Sequence, residues 1–129
     1  MKKILITLTL MVALIIGMLD ANALSFSEGY QQTSSKPMVL LIYANWSSGQ
    51  KVIQQNLRAL QKVYPGKLNY VLMDIANSET KAFNEKFQIN PKLPYVMLFK
   101  DGGKVNRYIE RDCATNMSCL SSRVKSFLP

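Results

Sequence analysis

The run "MVLLIYANWSSGQKVIQQNLRALQKVYPGKLNYVLMDI", Met38 to Ile75, decides the fold. Met38 to Tyr43 is an unbroken apolar run of strand length, the pattern of a strand covered on both faces. Ala44-Asn45-Trp46 closes it, and Ser47-Ser48-Gly49 supplies a short loop of small residues. From Gln50 to Tyr64, the residues Ile53, Leu57, Leu60 and Tyr64 recur at helical spacing and make one apolar stripe. Pro65-Gly66 stops that helix, and Leu68 to Ile75 reads as a second strand. A loop that opens a helix directly after a buried strand is a usual mounting for a site, because the first helical N–H groups face out of it. Here the positions where chemistry would be sought carry Ser47 and Gln50.

Working outward towards the C-terminus, Asn77 or Ser78 is placed to cap a short helix carrying Ala82, Phe83 and Phe87. Tyr95 to Phe99 is a third strand, Asp101-Gly102-Gly103 a hairpin turn, and Lys104 to Glu110 a fourth strand with Val105, Arg107 and Ile109 alternating. A last helix shows Met117, Leu120, Val124 and Leu128 on one face. The order β-α-β-α-β-β-α predicts an α/β domain with a four-stranded mixed sheet and helices on both faces. The first two crossovers contain helices, so the first three strands are expected to be parallel and the last two antiparallel.

In the other direction the chain reads as a leader followed by a lead-in. Lys2 and Lys3 precede an apolar run from Ile4 to Leu19, and Ala21-Asn22-Ala23 is a small-x-small cleavage site, so residues 1–23 are expected to be a signal peptide cut after Ala23. An uncleaved anchor is the rival. The run is shorter than the roughly 20 residues a spanning helix needs, and no membrane span is expected after cleavage. The expected location is periplasmic or secreted. Residues 24–36 are polar and expected to be a loosely ordered lead-in, which leaves 37–129 as the domain, with one domain in a chain of 129 residues. Setting aside Lys2, Lys3 and Asp20 lowers the formal charge from +8 to +7. The basic residues form no block, so they read as a solvated surface, and nucleic acid is not expected as a partner. The chain has no His, which excludes imidazole acid–base catalysis and His-ligated metal.

From Pro37 to Asp74 the sequence resembles thioredoxin without a gap, through the strand, Ala44-Asn45-Trp46, the long helix and Tyr64-Pro65-Gly66-Lys67-Leu68. After the second helix the resemblance resumes, with Leu93-Pro94 where the family has a cis-proline and Leu98-Phe99-Lys100-Asp101-Gly102 as its strand and turn. It implies the thioredoxin fold and a peptide-binding face made of Trp46, Ser47, Ser48, Gly49, Gln50, Leu93, Pro94 and Tyr95. Leu93 and Tyr95 are expected to make that groove apolar and aromatic, suited to protein or peptide contact. The resemblance also implies what is missing. Redox-active members read Trp-Cys-Gly-Pro-Cys, whereas this chain reads Trp46-Ser47-Ser48-Gly49-Gln50, and their buried Asp corresponds to Leu41. Disulfide exchange needs a thiolate to attack and a second thiol to resolve the mixed disulfide; a hydroxyl and an amide supply neither. Ser47 as a hydrolytic nucleophile would need a base, and Lys51, one turn along, is expected to be exposed.

Cys113 and Cys119 are the only cysteines. In a small exported domain such a pair is expected to form a disulfide. Six residues along one helix span about 9 Å, beyond the roughly 4.4–6.8 Å between Cα atoms that a disulfide permits. The chain must therefore turn between them, and Thr115-Asn116 supplies the turn and a helix cap. The alternative is a displaced redox pair, with Cys119 near a helix N-terminus and Arg111 beside it, lying away from the surface near Pro94.

The expected function is therefore non-catalytic binding of an envelope protein or peptide client, with no catalytic residue, cofactor or metal. The alternatives are a thiol–disulfide oxidoreductase using Cys113 and Cys119, or a structural subunit of an envelope assembly.

Overall fold

The computed structural model describes residues 24–129. The expected signal peptide, residues 1–23, lies outside the described residues. No helix among the described residues is long and apolar enough to cross a membrane.

Four strands, β1 (Met38–Tyr43), β2 (Asn69–Asp74), β3 (Tyr95–Lys100) and β4 (Val105–Ile109), form one mixed sheet in the order β2-β1-β3-β4. The side chains of β1 alternate between two cores. Val39 and Leu41 point to one face, opposite Leu98 and Val96 of β3; Met38, Leu40 and Ile42 point to the other, opposite Phe99, Met97 and Tyr95. The first face is covered by α2 (Gln50–Val63), through Ile53, Leu57 and Leu60, and by α5 (Met117–Phe127), through Leu120, Val124 and Phe127. The second is covered by α1 (Phe26–Gln31) and α3 (Thr80–Lys86), through Phe26 and Phe83. This is the thioredoxin fold, with helices on both faces of a mixed sheet as expected.

Two expectations are corrected. β1 and β2 are parallel, and β3 and β4 antiparallel, but β3 runs antiparallel to β1 and does not touch β2. A helix in a crossover makes a parallel return possible without requiring it. Here the chain passes from α3 through the turn at Asn90–Pro94 and enters on the far side of β1 in the opposite sense. The second correction concerns residues 24–36. They include α1 and a 3-10 turn (Gln32–Ser34) packed into the domain. The buried Phe26 ring meets Phe83 and Phe99 with centroids 5.4 and 6.4 Å apart, and its N–H donates to Glu79 Oε2 at 2.7 Å. Tyr30 of the same helix lies so close to Gly103, in the β3–β4 turn, that a Cβ there would overlap its ring. Order thus begins well before Pro37.

Smaller differences follow local chemistry. Glu79, not Asn77 or Ser78, occupies the N-cap position of α3, while Asn77 Oδ1 accepts the Glu79 N–H at 3.1 Å. The last helix ends at Phe127, which is buried, and Leu128 lies just beyond it.

Candidate functional site

The loop between β1 and α2 is held by one side chain. Ser47 N–H donates to the Ala44 carbonyl at 3.0 Å, closing a turn directly after the strand. Its hydroxyl lies 2.6 Å from that carbonyl, accepts the Ala44 N–H at 3.1 Å, and lies 3.0 Å from Gln50 Oε1. A hydroxyl has one hydrogen. With it given to Ala44, Gln50 satisfies Ser47 only with its NH2 turned to the hydroxyl oxygen, a rotation that leaves the amide outline unchanged. Gly49 then takes the N-cap position with φ 98°, left-handed backbone that suits glycine, and offers no side chain to the first N–H groups of α2. Trp46 projects from the loop with 69% of its surface exposed, and Lys51 is exposed as expected. Leu41, expected to stand in the place of the family's buried acid, is wholly inside an apolar core.

The Leu93–Pro94 bond is cis, as expected. Pairing of Ile42 with Tyr95 puts the end of β1 and the start of β3 side by side, so the Ser47 turn and Leu93-Pro94 share one end of the sheet. Leu93 and Tyr95 do not form the expected exposed wall. They are only 8% and 1% exposed and belong to the second core. Tyr95 accepts the Asn90 N–H at 3.1 Å and packs on Tyr108 with ring centroids 5.1 Å apart. Burial pushes the Tyr95 phenol pKa up, opposed by the Asn90 hydrogen bond, with a further upward push from Tyr108. The aromatic surface here is Tyr108, 41% exposed on β4, which the sequence reading did not single out. A cleft of about 550 Å³ runs between the Asn90–Leu93 turn and the end of β4, where Lys92, Tyr108, Arg111 and Asp112 line it.

The Cys113–Cys119 disulfide is formed, with Cα atoms 5.2 Å apart. The chain turns between the cysteines as the spacing requires: Cys113 lies in the one-turn helix α4 (Arg111–Ala114), and Cys119 in the first turn of α5, whose Asn116 cap accepts the Cys119 N–H at 3.0 Å. The segment that leads into Cys113 reaches the turn before Pro94. Arg111 and Asp112, directly before Cys113, line the same cleft as Leu93. A Cβ on Gly49 would sit 3.4 Å from Thr115 Cγ2 and 3.8 Å from Arg111 Cδ, and Asn56 of α2 donates to the Ala114 carbonyl at 3.0 Å. Sequence spacing carries no sign of these contacts, because they join residues far apart along the chain. No cluster of metal-ligating side chains occurs among the described residues.

A family model described as Thioredoxin matches residues 18–122. This chain belongs to the thioredoxin family. Solved structures of thioredoxins share the fold. Mitochondrial thioredoxin 3 from Saccharomyces cerevisiae, in its oxidized form, is 22% identical with a TM-score of 0.57, over 79% of this chain and 90% of that one. Thioredoxin O2 from Arabidopsis thaliana, in an oxidized state, is 18% identical with a TM-score of 0.62, over 81% and 87%. Fasciola hepatica thioredoxin is 18% identical with a TM-score of 0.60, over 78% and 88%. No curated protein sequence matches the chain. In this thioredoxin-family domain, the strand-to-helix loop carries Ser47 and Gln50 hydrogen-bonded to each other and to the end of β1, beside the turn at Leu93-Pro94.

Proposed function

We propose that this thioredoxin-family domain is exported and holds a protein or peptide partner without covalent chemistry, on the face made by the Trp46–Gln50 loop and the Leu93-Pro94 turn. The observation that carries the reading is the Ser47 hydroxyl. It stands where the family's attacking thiol would be, and its oxygen is taken up by Ala44 and Gln50. Such a hydroxyl cannot form a mixed disulfide, and with no His in the chain it has no imidazole base. What the face offers instead is contact. Trp46 gives a large exposed ring of the kind that dominates binding energy at interfaces. Tyr108 and the charged rim of Lys92, Arg111 and Asp112 add a second aromatic and both signs of charge across the cleft.

Two measurements test this. In an insulin-reduction assay, the protein is expected to precipitate insulin no faster than the dithiol reductant alone. Turnover that survives in a Cys113→Ser/Cys119→Ser variant would defeat the reading; turnover lost with Cys119→Ser alone would shift it to electron exchange through the C-terminal pair. In affinity capture from an envelope fraction, partners held by the native protein are expected to be lost from Trp46→Ala. Identical captured sets would remove the loop from the binding surface.

A further inference from the structure

We infer that the Cys113–Cys119 disulfide is a thiol-operated catch that sets the order of the Trp46–Gln50 loop. The inference does not require that the loop bind a partner. It rests on what α4 touches. A helix of four residues has almost no stability of its own. It is kept in place by the packing of Cys113 and Ala114 in the first core, by the bridge to α5, and by the hydrogen bond from Asn56. In turn α4 and its flanking Thr115 wall one side of the loop: Arg111 and Thr115 close on Gly49, and Ala114 holds the first turns of α2 through Asn56. Gly49 has no side chain with which to cap α2, so on this side of the loop the wall of Arg111 and Thr115 adds to the hold that Ser47 has on the other.

The two cysteines differ in exposure. Cys113 is 7% exposed, whereas Cys119 is partly exposed at the start of α5. A dithiol therefore attacks Cys119. Its thiolate bonds to the Cys119 sulfur, the Cys113–Cys119 bond breaks, and Cys113 leaves as a thiolate that takes a proton in its apolar surroundings. The reductant's second thiolate then attacks its own sulfur in the mixed disulfide and expels Cys119. The dithiol ends as a disulfide, having given two electrons to the protein; one proton ends on Cys113, and the other is released to solvent for as long as Cys119 stays a thiolate. The expelled Cys119 thiolate sits in the first turn of an eleven-residue helix, where the N-terminal dipole favours negative charge. With the bridge open, α4 keeps its packing, the backbone hydrogen bonds of its single turn and the hydrogen bond from Asn56, but loses its covalent tie to α5, and the wall against Gly49 loosens.

Amide hydrogen exchange of the protein before reduction, after dithiothreitol, and after reoxidation tests this, with thiol titration alongside. Residues 47–53 and 111–119 are expected to exchange at least about tenfold faster when reduced, and to recover on reoxidation, while β1 and β3 keep their protection. Three results would overturn the inference: a bridge inert to dithiothreitol in the folded protein, two titratable thiols with no change at residues 47–53, or protection lost across β1 and β3 as for a plain structural staple. An Asn56→Ala/Thr115→Ala variant tests the route. Its residues 47–53 are expected to exchange fast with the disulfide intact and to gain nothing on reduction; a full redox response in that variant would also overturn the inference.

Discussion

Ser47 serves its turn through one oxygen, which accepts the N–H and meets the carbonyl of the buried Ala44. Removing that oxygen leaves an Ala44 N–H inside the protein with no acceptor, a loss that costs about 1–3 kcal/mol. Ser47→Ala is therefore expected to lower the unfolding free energy by that amount in urea titration, whereas Ser48→Ala, on the exposed side of the loop, is expected to change it by less than about 0.5 kcal/mol. Tyr70 presents the reverse case. Its hydroxyl is buried and meets no hydrogen-bond partner among the described residues, and burial pushes its pKa well above the ordinary tyrosine range. Tyr70→Phe removes the orphaned group and keeps the ring. It is expected to be neutral or stabilising by up to about 1 kcal/mol at neutral pH, read by the same titration.

The short helix α1 shows at the scale of an element why part of the fold was hidden. Ser25-Phe26-Ser27-Glu28 has the S-x-x-E form of a capping box, and Ser25 Oγ does accept the Glu28 N–H at 3.2 Å. Six residues are too few for a helical stripe, and in a polar stretch Phe26 and Tyr30 gave no periodic signal. What fixes α1 is an aromatic cluster contributed by α3 and β3, which no local reading could assemble. Phe26→Ala is expected to cost about 3–5 kcal/mol, measured as a shift in the denaturation midpoint. A loose lead-in would lose next to nothing. By contrast α2 and the buried strands were legible, because fourteen helical residues repeat their stripe and β1 has no polar break. The direction of β3 was not, since a crossover fixes only that the chain returns. At the site, the loop itself could be read from the strand's end and the helix's start. Its neighbours Tyr108, Arg111 and Thr115 could not, since their approach is set by the whole sheet.

For the molecule as a whole, tyrosines tie stability to alkaline pH. Burial is the leading cause that raises the pKa of Tyr70, Tyr95 and Tyr108 above the ordinary value of 10.0. A raised folded pKa means that the folded chain holds the proton more tightly than the unfolded one. The stabilisation is therefore complete below about pH 10 and is lost as pH climbs towards the folded values. The urea midpoint is expected to fall from about pH 10 upward, with phenolate absorption lagging behind that of free tyrosine, and to fall less steeply in Tyr70→Phe. The double duty of β1 has a different consequence. Successive residues from Met38 to Tyr43 feed opposite sides of the sheet, so losing or gaining one codon inside this strand would exchange the sides of every residue beyond it. The bend at Gly66, where an added Cβ would meet nothing, has no such parity to keep. Length variation in this chain is therefore expected to gather at that bend and to be barred from the central strand, as a library of single-residue insertions and deletions scored for folding would display.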